Sequence, residues 1–251
     1  MGAYYFLACL LPPLPAALGE KMPRAFAELS GLARRHIHEG DAPVLQALLG
    51  VIDAINGEHR ELGRDVFVPG GLVSREDLEA GRDLPEFLRE FLDAKERGIH
   101  RASPVDRLWE AYYAYALEVA RKARSRFLGQ YLSWEVALRN QLVVQRAKER
   151  NLPAEDFLVL PHAETHDFGN LIAQLKSRKD PLAAEQYLDE ERLKHIYRCE
   201  GTSPFSLDAI LAYLSRAAIY GRWERIGQPF DVDDYLHQGG STWTVQHKVV
   251  S

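Results

Sequence analysis

The sequence predicts an all-α protein: a multi-helix bundle with one very long helix over about 103–150 and a short extended N-terminal segment. Three observations carry this reading. Apolar residues recur at spacings of three and four along most of the chain. Prolines and capping residues stand where those runs begin. No proline occurs between Pro104 and Pro153, which leaves room for a helix of roughly 70 Å.

The first apolar run, Tyr4-Tyr5-Phe6-Leu7-Ala8-Cys9-Leu10-Leu11, is too short to cross a membrane, because Pro12, Pro13 and Pro15 interrupt it well before the roughly 20 residues a span needs. No Lys or Arg precedes it, so it lacks the basic start of a secretory signal. It reads as a buried strand or extended arm, and cytoplasmic residence follows as the default. After Pro23, the residues Phe26, Leu29, Ala33 and Ile37 mark a helix. A second follows Asp41 and Pro43, with a broad stripe of Val44, Leu45, Leu48, Leu49, Ile52 and Ile55, and Gly57 is placed to end it. The two suit a helical hairpin.

Residues 58–83 are less regular. Val66-Phe67-Val68-Pro69-Gly70-Gly71 reads as an extended piece and turn, and Ser74 with Asp77 suits the cap of a brief helix. Leu84, Phe87, Leu88, Phe91 and Leu92 restore helical spacing as far as Gly98. The long helix then opens at Ser103-Pro104, with Asp106 in its first turn. Its stripe runs from Leu108 through Tyr112, Tyr115 and Val119 to Leu142 and drifts around the axis. Either it wraps its neighbours or it bends near Gly129. Helices over about 165–178, 181–199 from Pro181, and 204–226 from Ser203-Pro204 complete the set.

With 46% apolar, 27% charged and 10% aromatic residues, the 251-residue chain has the makings of a packed core, not of disorder or a collagen-like repeat. It reads as one helical domain over 1–251, in which 1–102 and 103–228 are candidate subdomains and 229–251 a weakly packed tail. The net charge of -5 gives no general attraction to nucleic acid or anionic lipid. Two cysteines, Cys9 and Cys199, exclude a disulfide framework.

Motifs of catalysis fail on inspection. His162 and His166 stand four apart, as metal ligands on a helix would, but Glu164 is two residues after the first histidine and not next to it. His36 and His38 face different sides of their helix. Asp167-Phe168-Gly169 matches a kinase tripeptide without the phosphate loop, strand lysine or catalytic loop a kinase requires, and reads instead as a helix cap. Asp231, Asp233 and Asp234 are followed by Tyr235-Leu236, where a calcium loop needs Asn or Asp and then Gly. There is no Walker sequence, dinucleotide fingerprint or Gly-x-Ser-x-Gly elbow.

Charge is more informative. Residues 103–150 hold nine Lys+Arg against five Asp+Glu, a local +4 in an acidic chain. Arg121, Lys122, Arg124 and Arg126 concentrate at the middle of that stretch and are the candidate partner-binding residues. The nearby aromatics follow the core stripe and do not interleave with the basic positions, which argues against a nucleic-acid surface.

Leu108-Trp109-Glu110-Ala111-Tyr112-Tyr113-Ala114-Tyr115-Ala116 resembles a family of uncharacterised bacterial proteins encoded within V-type ATPase operons. The opening Tyr4-Tyr5-Phe6-Leu7-Ala8, Asp167-Phe168-Gly169 and Phe205-Ser206-Leu207-Asp208 match it in the same order, so the resemblance spans about residues 4–226. It implies association with the rotary ATPase, in the place of the helical central-stalk component that sits between rotor shaft and membrane ring, at the inner face of the membrane. That component has no catalytic residues, and its three similar modules have no counterpart in an internal repeat here. The expectation is a non-catalytic accessory without cofactor, metal, small-molecule substrate or nucleic acid, whose partners are other V-type ATPase subunits. The competing readings are a metal-dependent enzyme using His162, His166 and Asp167, and a helical adaptor that binds nucleic acid or protein through residues 121–150.

Overall fold

The computed structural model describes residues 3–99, 101, 103–161 and 166–227. Among them the chain forms ten α-helices and no strand, so the all-α reading holds. The helices are α1 (Tyr5–Leu10), α2 (Phe26–His36), α3 (Ala42–Glu61), α4 (Arg75–Ala80), α5 (Glu86–Glu96), α6 (Pro104–Ala123), α7 (Arg126–Arg150), α8 (Gly169–Ser177), α9 (Pro181–Cys199) and α10 (Leu207–Ile226). No helix of the described residues is long and apolar enough to cross a membrane.

The centre is the pair α3 and α6, with α5 lying against α6. Gly57 does not end α3. It lies inside the helix, where a Cβ would come within 3.2 Å of both Leu88 and Leu108. Gly50, two turns earlier on the same face, would meet Phe87 at 3.2 Å and Tyr112 at 3.5 Å. The glycines give α3 a smooth strip on which α5 seats Phe87 and Leu88 and α6 seats Leu108 and Tyr112, at the cost of some helix propensity.

The single helix expected over 103–150 is two helices. Arg124 adopts left-handed geometry (φ 53°, ψ 36°), and the N–H of Ser125 donates back to the Ala120 carbonyl, closing α6. The Ser125 hydroxyl then accepts from the Leu128 N–H and opens α7. The chain therefore breaks at Arg124 and not at Gly129, which lies within α7. An arginine serves where glycine is usual, so no helix stop is written in the residues.

Three further expectations are corrected. Residues 5–10 form a short helix, not an extended arm: Leu7 and the preceding Tyr4 are buried, the Tyr4 hydroxyl donates to Asp41, and Tyr5 and Phe6 face outward. α10 begins at Leu207, capped by Ser206 through the Ala209 N–H, and not at Pro204. α8 begins at Gly169, after the Asp167 carboxylate has accepted the Gly169 N–H. The tail expected over 229–251 lies outside the described residues.

Two irregular stretches are fastened to long helices by asparagines. The Asn56 amide donates to the Val68 carbonyl and accepts its N–H (2.8 and 2.7 Å). Asn140 of α7 grips Val159 in the same way (2.7 and 2.9 Å). One main core runs from α1 to α10. A smaller cluster of Trp134, Leu138, Phe168, Leu171, Ile172 and Leu188 joins α7, α8 and α9.

Candidate functional site

An open cleft of about 830 Å³ lies between α3, α6, α7, α9 and α10. Its volume is in the range of ligand sites. Apolar side chains of α3 (Leu48, Val51, Ile52, Ile55) supply one wall, and α10 adds Leu214 and Ile219. Six arginines and four carboxylates also line it.

Most of those charges are already spent on one another. Arg192 of α9 donates through Nε to both oxygens of Glu135 on α7 (3.1 and 3.2 Å) and through Nη1 to Asp189 (2.8 Å). Asp189 also accepts from Arg222 (2.9 Å) and from the Trp223 indole (2.7 Å), and Arg222 reaches Glu185 (2.9 Å). Three helices are thus locked around one buried carboxylate. Burial pushes the Glu135 carboxyl up while Arg192 pulls it back, and the two carboxylates hold the Arg192 guanidinium charged. At the α6 end, Arg139 donates to Asp106 (2.8 Å) and lies over the Trp109 ring, whose indole donates to Glu58 (2.6 Å).

What remains at the rim is positive. Arg146 and Arg150 of α7 and Arg225 of α10 line the cleft, are exposed, and form no ion pair among the described residues. Partial desolvation and the neighbouring Arg222 hold the Arg225 guanidinium below its ordinary range. Every lining carboxylate, by contrast, has a partner: Asp106, Glu135, Glu185 and Asp189 each receive an arginine. The arrangement suits an apolar occupant bearing negative charge, and leaves no unengaged carboxylate to act as a base.

The partner-binding residues expected from sequence lie elsewhere, at the α6–α7 corner. Arg121, Lys122, Arg124 and Arg126 are all exposed there. Arg121 and Lys122 share Glu118 (2.7 and 3.4 Å), so a single carboxylate within the same helix offsets one of the cluster's four positive charges. Arg126 reaches toward Gly201 in the turn before α10.

Of the proposed metal residues, His162 lies outside the described residues, and Asp167 is occupied by its turn. His166 packs against Phe168. The histidine with the more distinctive setting is His195: it stacks on Trp134 (centroids 4.5 Å, 11°), and its Nε2 lies 3.3 Å from the Cys199 sulfur. Burial lowers the His195 pKa to about 4 and raises that of Cys199, so a neutral thiol faces a neutral imidazole. Among the described residues no group of three His, Cys, Asp or Glu side chains is placed to hold a metal.

Sequence reasoning missed the cleft. Asp189 and Arg192 look like an ordinary surface pair at i,i+3, and Glu135 lies between core residues Trp134 and Val136. The signal lay in charges set inside apolar stripes, above all Arg222 beside Trp223.

Fold and site together define an all-α protein with a charged cleft whose lining carboxylates are all paired with arginines. The chain belongs to the family described as protein of unknown function (DUF2764), which matches residues 1–179. Among curated proteins and among solved structures, nothing matches it.

Proposed function

We propose that this chain is a non-catalytic accessory or central-stalk-like component of a bacterial V-type ATPase that holds partner subunits through protein–protein contacts. The sequence resemblance supplies the identity of the assembly. The observation that carries the binding role is the cleft: it is open, walled by apolar side chains, rimmed by Arg146, Arg150 and Arg225, and shaped by five helices, of which ion pairs lock α7, α9 and α10 together. A segment with an apolar face and acidic edges fits those walls. The pairing of every lining carboxylate favours attachment over catalysis.

The corner residues provide a second contact. Substituting Arg121→Glu, Arg124→Glu and Arg126→Glu together should weaken assembly with the fold intact. The Arg121–Glu118 pair is exposed and lies within one helix, so its loss costs the fold little, and an acidic residue at position 126, in the first turn of α7, favours that helix. The decisive measurement is affinity capture from native membranes. Recovery of rotary ATPase subunits in fixed stoichiometry supports the proposal; capture without them removes it.

A further inference from the structure

At one end of the bundle, α1 and three helix connections meet and expose an aromatic patch beside the basic corner. The Tyr4 N–H donates to the Phe205 carbonyl (2.7 Å) and the Tyr4 hydroxyl donates to Asp41, so the start of α1 is fixed against the α9–α10 turn and the α2–α3 turn. On α1 itself the Tyr5 ring packs against Phe205 (4.5 Å between centroids) and the Phe6 ring against His36 at the end of α2 (5.2 Å). The same α9–α10 turn meets the α6–α7 corner, where a Cβ on Gly201 would lie 3.0 Å from the Arg126 guanidinium. From this juxtaposition we infer that Tyr5 and Phe6 are the apolar anchors of a continuous docking face, which extends from α1 across the turn to Arg121, Arg124 and Arg126. Its partner is an acidic protein surface with an apolar hollow at its centre. The inference rests on the reading of the corner as a partner contact, and names the chemistry of that partner.

Burial, composition and charge argue for it. α1 turns Leu7 into the core and leaves Tyr5 and Phe6 61% and 65% exposed. Cys9, one turn on, is exposed as well and falls between them on the helix surface. A lone aromatic on a surface needs no explanation, but two adjacent ones beside a concentration of arginine have the composition of a protein interface. Tyrosine and arginine are also among the residues that dominate binding energy there. Residues 118–126 hold four positive charges against the one negative charge of Glu118, a surplus of three, so the matching surface is acidic. That surplus disfavours a symmetric end-to-end pair of chains, in which like charges would meet. Glu39, Glu118 and Glu200 stand at this end too, and a face of mixed sign suits a folded protein better than the uniform phosphates of a polynucleotide or an anionic bilayer.

Affinity capture from native membranes with the full-length chain separates this inference from the ATPase reading. Tyr5→Ser with Phe6→Ser should cut recovery of rotary ATPase subunits about tenfold, the scale expected of interface anchors. Leu62→Ser, at an exposed apolar residue just beyond the other end of α3, should leave recovery unchanged. Recovery by the double variant equal to that of the wild type overturns the inference and leaves the ATPase proposal standing, as does an equal loss in Leu62→Ser. A wild-type chain that captures none of these subunits removes both. Because Cys199 is buried, maleimide labelling reports on Cys9, which should react more slowly in the captured assembly than in the isolated chain. Equal labelling rates overturn the inference. Binding of the isolated chain to phosphatidylglycerol vesicles that disappears in the double variant assigns the face to lipid and overturns it equally.

Discussion

Asp53 shows how one residue can organise a loop at a cost to itself. Its buried carboxylate accepts the N–H groups of Leu72 and Val73 (2.9–3.1 Å), and Gly71 passes so close that a Cβ there would lie 2.3 Å from the carboxylate. Desolvation pushes its pKa up to about 6, against the smaller pull of those two N–H groups. The unfolded chain releases this proton near the ordinary aspartate value and the folded chain only near 6. The contribution to stability is therefore full in acid and is lost as pH rises from about 4 through 6. Relative to Asp53→Asn, which keeps an acceptor oxygen, the wild type should lose on the order of 2–3 kcal/mol between pH 4 and 7. Urea titrations across that range check this, and parallel curves for the two proteins would refute it. Little of this was legible beforehand. An Asp at position 53 reads as one polar residue in a helix; that it faces inward follows only when the 67–73 segment folds back on α3. Asn56 and Asn140 were silent for the same reason, since their partners, Val68 and Val159, come from irregular backbone.

Helices were more readable than their limits. Periodicity placed α2, α3, α5, α9 and α10, and Ser74 was recognised as a cap that the Asp77 N–H does use. Two of the failures turn on single residues. Gly57 reads as a stop, yet it serves the approach of α3 to α5 and α6. Gly57→Val should destabilise the protein by about 2 kcal/mol, because the added side chain displaces Leu88 and Leu108, both of which are buried. Gly31→Ala is the matched control: in α2 the added methyl meets only the flexible end of Arg35, and helix propensity should raise stability by roughly 0.5–1 kcal/mol. Thermal unfolding of both variants tests the pair, and a stabilising Gly57→Val would contradict the packing argument. Arg124 is the converse case, a residue with no helix-stopping signature that ends a helix because Ser125 can start the next one.

For the molecule as a whole, the all-α class was legible from composition and period, while the cleft was not, because it depends on which charged residues are enclosed when five helices meet. Stability should be distributed accordingly. α8 is held mainly through the smaller cluster with Trp134, Leu138 and Leu188, whereas α3 and α6 are enclosed by the main core. Hydrogen exchange should therefore release the amides of α8 well before those of α3 and α6, and simultaneous exchange would show that the two clusters unfold as one. The break at Arg124 has its own mechanical meaning. A continuous rod of roughly 70 Å would carry thrust along its axis, but α6 and α7 are about 30 and 38 Å long and meet at a corner. Load arriving on one can reach the other only sideways, through the flanks of their neighbours, so any torque this protein bears is borne by its packed interior and not by a spine.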